Sequence, residues 1–248
     1  MRAILVLCIR QLKRYIRSPA RIVGSLGQPV IFLLALGFGI GSVFRRAGSG
    51  NYLSFLAPGI IVMGIMFTAV FSGIEIIWDR QFGFLKETLV APVSRLQIVL
   101  GRVLGGAIVA ILQGFAVFLV CLAFGFRVHQ IMMAPLALVF MFLIAILFTS
   151  IGTAIGSVLQ DMQGFPLVMN FLVMPLFFFS DALFPIKGLP KALEGALRLN
   201  PVTYGVDGLR GALIGVSSFH FLTDFGVLAL LSCILLALGS YLFARIQL

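Results

Sequence analysis

Charge is scarce in this chain. Only 10% of its 248 residues are Asp, Glu, Lys or Arg and 61% are hydrophobic, whereas a soluble domain is roughly a quarter charged. Too little polar side chain is present to cover a water-facing surface, and a mean hydropathy of +1.16 fits a bilayer as the solvent. In lipid only helices and closed barrels satisfy their own backbone groups. Barrel strands alternate apolar and polar residues, whereas here the apolar residues come in long unbroken runs, which predicts helices. Cysteine and histidine are also few. Cys8, Cys121 and Cys233 are far apart and form no CxxC pair, and His129 and His220 lie in predicted connections. This pattern argues against a zinc site or a disulfide framework and makes the cysteines small apolar filler. No cofactor is expected. No GxxxxGK[ST] stretch occurs, so no nucleotide site is visible. Acidic residues are the rarest charge, 8 against 18 basic ones, for a net charge of +10. Such an excess in a soluble protein suggests nucleic acid. No basic patch here is interleaved with aromatics, and in a membrane protein basic residues set topology and meet anionic lipid.

A spanning helix needs about 20 apolar residues. Six stretches are candidates: residues 22–44, 53–77, 103–126, 131–159, 165–179 (with a continuation towards Pro185) and 221–244. The first is too long for a signal-peptide core and no small-residue cleavage pattern closes it. An even number of spans puts both termini on one side. That side receives Arg2, Arg10, Lys13, Arg14, Arg17 and Arg21, then Arg80, Lys86, Arg95, Arg102 and Arg245. The other receives Arg45, Arg46, Arg127, Lys187, Lys191, Arg198 and Arg210. The bias puts both termini in the cytoplasm.

Residues 1–20 place Ile4, Leu7, Leu12 and Ile16 among basic residues, the pattern of an amphipathic helix lying in the membrane interface, ended or turned by Pro19. Residues 186–214 are too polar to cross. Pro190 suits the start of one short helix reaching Leu199. Asn200-Pro201 reads as an N-cap and first helical position of a second, reaching Leu213. Asp207 and Arg210, three apart, are expected to pair. By parity these helices lie on the outer side, re-entrant or interfacial. Gly37 with Gly41, Gly101 with Gly105 and Gly152 with Gly156 have the spacing of close helix packing.

The passage "WDRQFGFLKETLVAPVSR", residues 78–95, holds charges of both signs between two apolar runs. Read as a short helix, it puts Phe82, Leu85 and Leu89 on one face, with Arg80 and Glu87 largely elsewhere and Pro92 ending the run before Arg95. An ordinary solvated loop anchored in lipid headgroups accounts for the residues about as well. Glu75 lies about one turn inside the second span. The favoured reading is a carboxylate that snorkels to the interface or pairs with Arg80 or Arg102. A proton relay wants further acids along the spans, and Asp161 and Asp224 fall at predicted ends.

Residues 78–95, followed by "IVLGRVLGG", resemble the cytoplasmic connection between the second and third spans of type-2 ABC exporter permeases. Residues 175–210, "PLFFFSDALFPIKGLPKALEGALRLNPVTYGVDGLR", resemble that family's phenylalanine-rich fifth span and its NPxTY and LR ending. The whole six-span plan agrees, and the branch is similar to the drug-resistance and nodulation-type permeases. The resemblance implies an all-α, single-domain permease over residues 1–248, with six transmembrane helices, in a bacterial or archaeal inner membrane. It implies a homodimer working with separate ATP-binding cassette ATPase subunits and moving a drug, lipid or lipid-linked saccharide outward. The chain itself then performs no bond chemistry and binds no nucleic acid. Residues 79–95 become the coupling helix, with Asp79, Arg80, Phe82, Phe84, Leu85, Lys86, Glu87, Pro92 and Arg95 facing the ATPase. Gln81 departs from the acidic residue many relatives carry, which leaves a charge pair at that position in question. Glu75, Asn170, Phe177, Phe178, Phe179 and Asp181 are candidates for the translocation path or an aromatic outer gate. Asn170 is otherwise an interhelical hydrogen-bonding residue, and three successive phenylalanines on a helix point in different directions. The rival readings are an ion-coupled secondary transporter, which the lack of intramembrane acids and internal repeat argues against, and a membrane enzyme, which lacks a clustered catalytic set.

Overall fold

The computed structural model describes residues 2–46, 52–90, 92–184 and 190–246. All regular structure among them is helical: α1 (Arg2–Ile16), α2 (Pro19–Arg46), α3 (Tyr52–Phe71), α4 (Ile74–Gln81), α5 (Phe84–Val90), α6 (Arg95–Ala123), α7 (Ala134–Val158), α8 (Gly164–Phe178), α9 (Lys191–Leu199), α10 (Pro201–Ile214) and α11 (Phe221–Ala244), with a 3-10 turn at Ile131–Met133 before α7. Among the described residues, five stretches are long and apolar enough to cross a membrane: Pro19–Gly39, Tyr52–Gln81, Arg95–Ala123, Ile131–Val158 and Phe221–Ala244. The fifth expected span, α8, has 15 residues. At 1.5 Å per residue it is about 22 Å long, less than the roughly 30 Å hydrocarbon core.

Helix α3 is the centre. It is apolar around its whole circumference, as a helix surrounded by others must be, and it packs against α2, α6, α7, α8 and α10. Leu56, Ile60, Val62, Met63, Ile65 and Met66 are all fully buried. The expected second span is not one continuous helix. It breaks at Ser72-Gly73, where the Ser72 hydroxyl donates to the Ala69 carbonyl at 2.6 Å and draws that carbonyl away from a straight helix. The break is also where α7 comes closest. A Cβ on Gly73 would overlap the Gly152 carbonyl, one on Gly152 the Val70 carbonyl, and one on Gly156 the Gly73 carbonyl. The backbones touch. Gly101 and Gly105 do the same for α6, where an added Cβ would press on Leu7 and Ile4 or on Gln11 and Cys8 of α1. Gly37 and Gly41 do not follow the expectation: a Cβ on Gly37 meets only the Leu53 side chain at 3.6 Å, and one on Gly41 meets nothing within 4 Å.

Residues 79–95 do not form one helix. Asp79 to Gln81 finish α4, Gly83 turns the chain with φ +80°, and α5 follows. A left-handed φ suits only glycine without strain. The Ser94 hydroxyl then accepts the Gln97 amide at 3.3 Å as an N-cap, so α6 begins at Arg95, eight residues before the expected 103. Phe82 therefore lies before the α5 turn and is 69% exposed, while Leu85 is fully buried. The two do not share a face.

At the opposite end the expected pair of short helices is α9 and α10. Asn200 Oδ1 accepts the Val202 amide at 3.0 Å, and its Nδ2 donates to the carbonyls of Leu176 and Phe179, tying this corner to the end of α8. Gly215, with φ +77°, closes α10. The expected pairing of Asp207 with Arg210 does not occur. Asp207 accepts the amides of Ser218 and Phe219 at 2.8 Å, and Arg210 bonds to Asp181 instead. Pro185, the proposed limit of the fifth span, lies outside the described residues; the helix stops at Phe178.

The backbone contact at Gly152 makes a direct test. Gly152→Ala forces α3 and α7 apart, at an overpacking cost of about 1–3 kcal/mol, and should lower the thermal midpoint of the purified protein. Gly226→Ala, which meets open space, should leave that midpoint unchanged or raise it.

Candidate functional site

The charged end of the molecule is built on two helices with matched spacing. Glu75 and Asp79 are four residues apart on α4, and Arg10 and Arg14 are four apart on α1, so each pair falls on one helical face. Running in opposite directions, they meet as a ladder. Arg10 Nη2 reaches Asp79 Oδ2 at 3.0 Å, and Arg14 Nη1 reaches Glu75 Oε2 at 3.5 Å. Arg21 of α2 adds a contact to Glu75 Oε1 at 3.3 Å, and Arg102 of α6 adds one to Asp79 Oδ2 at 2.5 Å. Both carboxylates are buried, Glu75 at 5% and Asp79 at 1% exposure. Glu75 thus pairs with Arg14 and Arg21, not with the expected Arg80 or Arg102.

Arg102 is not at the start of its helix. It lies in the second turn of α6 and is 2% exposed, neutralised by Asp79, with its guanidinium 6.0 Å from the Phe243 ring. Helix α1 meets α6 through Gln11 and Tyr15, both buried, and the Tyr15 hydroxyl donates to Gln113 Oε1. Ile4 and Leu7 face α6 near Gly101, whereas Leu5, Val6, Ile9 and Ile16 are exposed. Of the expected apolar face, Ile4 and Leu7 are therefore taken by α6, while Ile16 is exposed.

The segment expected to face a partner divides in two. Its inward half fastens it to the spans. Arg80 donates to the carbonyls of Ser157 at 2.8 Å and Leu159 at 3.2 Å, satisfying the open C-terminal end of α7. Gln81 donates to the Gln160 carbonyl at 3.2 Å. Arg95 donates to the Ala244 carbonyl at the end of α11. Leu85 packs with Ile76, Ile98, Val99, Val103 and Phe243 in a small second core. The outward half consists of Phe82, Phe84, Lys86, Glu87 and Pro92, all exposed. Of the nine expected docking residues, Asp79 and Leu85 are buried, and Arg80 and Arg95 are held by helix ends.

The candidate path residues do not form one site: Phe177, Phe178, Phe179 and Asp181 are neighbours at the end of α8, and Glu75 and Asn170 lie apart from them. Glu75 is at the charged end. Asn170 is exposed on α8. Phe177 is fully buried, with its ring 6.3 Å from Phe32, while Phe178 and Phe179 are exposed. Asp181 accepts from Arg210, whose guanidinium also donates to the Asp181 carbonyl at 2.6 Å and stacks 3.9 Å from the Phe55 ring. That second buried ion pair, and the pairing of Arg10, Arg14 and Arg21 with the α4 carboxylates, are not among the sequence expectations. The four-residue steps of Arg10 with Arg14 and of Glu75 with Asp79 were the available signal.

A family model described as ABC-2 type transporter matches residues 2–214. The chain belongs to the ABC-2 type transporter family. Nodulation protein J of Rhizobium leguminosarum bv. trifolii is 30% identical to this permease over 198 residues, covering 79% of this chain and 75% of that protein. The inner membrane transport permease YadH of Escherichia coli (strain K12) is 30% identical over 212 residues, 83% of this chain and 82% of the relative. Nodulation protein J of Rhizobium meliloti (strain 1021) is 25% identical over 228 residues, covering 91% of this chain and 86% of the relative. The expected nodulation-type branch agrees with these relatives. Together with the long apolar helices, they make the permease a multi-pass protein of an inner membrane. Membership is consistent with a non-catalytic transport subunit and implies the partner ATPase typical of ABC systems.

The permease's Asp79–Arg102 pair is open to a double-mutant cycle. Asp79→Leu alone strands the buried Arg102 charge and should cost about 3–5 kcal/mol, whereas Arg102→Met leaves Asp79 its contact with Arg10 and should cost less. The two together should recover much of that loss, read as the thermal midpoint and as folded yield in detergent.

Proposed function

We propose that the permease is the transmembrane subunit of an ATP-driven exporter and moves a hydrophobic or amphipathic cargo out of the cytoplasm or inner leaflet. Two copies form the pore, and separate ATPase subunits dock against residues 79–95 in the cytoplasm. The carrying observation is the division of that segment. Phe82, Phe84, Lys86 and Glu87 are exposed, on a turn whose other side is bonded to α6, α7 and α11. Exposed aromatics flanked by charge are what a partner's pocket grips. A push on that face is passed to three spans through Arg80, Leu85 and Arg95, and α4 carries it to the glycine crossing of α3 and α7. In this reading α8 completes six spans, both termini are cytoplasmic, α1 lies in the interface, and α9 and α10 lie on the outer side. An aromatic-rich interior suits a drug or lipid better than a free sugar.

One observation favours the ion-coupled reading. Asp224 is fully buried at the start of α11, and neither of its carboxylate oxygens has a hydrogen-bond partner among the described residues. Under ATP-driven export, Asp224→Asn leaves the pH profile of transport unchanged; a marked shift in that profile favours ion coupling.

The docking test is Phe84→Ala, with Phe82→Ala beside it. Each should weaken copurification of the ATPase by tenfold or more, from the loss of about 2 kcal/mol at a buried anchor, or uncouple hydrolysis from transport in vesicles. Wild-type docking and transport in both variants would reduce the aromatics to lipid anchors. Sidedness is read separately. In a background free of Cys8, Cys121 and Cys233, Val216→Cys should react with an impermeant thiol reagent from outside and Lys86→Cys should not.

A further inference from the structure

A cavity of about 440 Å³ opens between α1, α2, α3–α4 and α6 beside the charge ladder, within the usual size range of small-molecule sites. Its walls are mainly apolar and aromatic, from Pro29, Phe67, Phe71, Ile74 and Val109. Its polar lining includes Gln11, Thr68 and Glu75. Among the described residues Gln11 Oε1 and Thr68 Oγ1 have no hydrogen-bond partner and Glu75 Oε2 has only the 3.5 Å ion pair with Arg14, and Gln11 and Glu75 are more than nine-tenths buried. Such groups are costly to leave unmatched. Two of the three are pure acceptors and the hydroxyl accepts as readily as it donates, so the matching ligand brings donors.

The side chain at the cavity's mouth shows what kind. Arg21, 37% exposed, places its guanidinium 3.3 Å from Glu75 Oε1 and 5.9 Å from the centre of the Trp78 ring. One cation is thus held by a buried carboxylate and by an aromatic face within cation–π range. Arg21 comes from α2 on a long, half-exposed stem that can swing out to water, while Arg14, on the far side of Glu75, still balances the carboxylate. An anionic head placed there would press against the Glu75 carboxylate and the unmatched acceptors.

We propose that this cavity is the cargo-binding site and that it takes amphipaths with a protonated amine head and an apolar tail. The head replaces Arg21 between Glu75 and Trp78, and the tail lies along Phe67, Phe71 and Pro29. The inference rests on the exporter reading only for calling the ligand a cargo; binding itself needs no ATPase.

Trp78 is the single tryptophan of the chain, so its emission reports occupancy directly. The purified permease in phosphatidylcholine vesicles is titrated with n-decylamine below its own pKa and, in parallel, with decyl sulfate. A saturable change in Trp78 emission is expected with the amine and none with the sulfate. Glu75→Gln should weaken the amine response at least about tenfold, as losing one partner of a buried charge pair does. Arg21→Gln should tighten it, because the competing cation is gone. No saturable response in the wild type would overturn the site. An equal response to decyl sulfate would overturn the choice of head group. If Glu75→Gln fails to fold, Arg21→Gln still decides: unchanged or weaker amine binding there overturns the role given to Arg21. Failure of this titration leaves the exporter reading standing, and lost ATPase docking in the Phe82 and Phe84 variants leaves this site standing.

Discussion

Helix α3 and helix α7 cross with their backbones in contact, and the rest of the arrangement follows from that contact. Lipid offers no hydrophobic drive for one apolar helix to prefer another over a lipid tail, so association depends on close packing and polar contacts. Gly73, Gly152 and Gly156 remove the side chains that would hold the two helices apart. The same crossing coincides with the break after α3, so α4 leaves at the point of tightest packing. Everything charged on α4, from Glu75 to Arg80, is placed by that exit.

Around α4 the electrostatics is arranged inward. Two carboxylates bind four arginines from α1, α2 and α6, and Arg80 bonds the open carbonyls of α7. Buried charge without partners is expensive, so these contacts lock the relative positions of α1, α4, α6 and α7. They also leave the outer face of the turn to Phe82, Phe84, Lys86 and Glu87. The segment is stiff on one side and open on the other, which suits the transmission of force better than an ordinary loop would. Asp181 with Arg210 plays the corresponding part at the far end, joining the tail of α8 to α10 and α3.

The helical runs were legible in the sequence because a membrane segment must be long, apolar and internally hydrogen-bonded. The Asn200-Pro201 corner was legible because capping is local chemistry, and the resemblance to type-2 ABC permeases was carried by two long motifs. Less legible were the breaks and the partners. Ser72-Gly73 is a weak local signal inside an apolar run long enough to read as one span, and the break coincides with the crossing of α7. Arg102 reads in the sequence as a topology-setting charge and in the fold as a buried partner of Asp79, 23 residues away.

The sequence by itself determined the solvent, the helical class, the approximate spans and the family, since these depend on composition, run length and neighbouring residues. Only the tertiary structure decided which charges are spent inside and which face outward. Arg80, Asp79 and Glu87 look alike along the chain, all polar residues in one short segment. Burial and distance separate them, because an ion pair depends on which helix lies opposite, and helices remote in sequence supply Arg10, Arg14, Arg21 and Arg102.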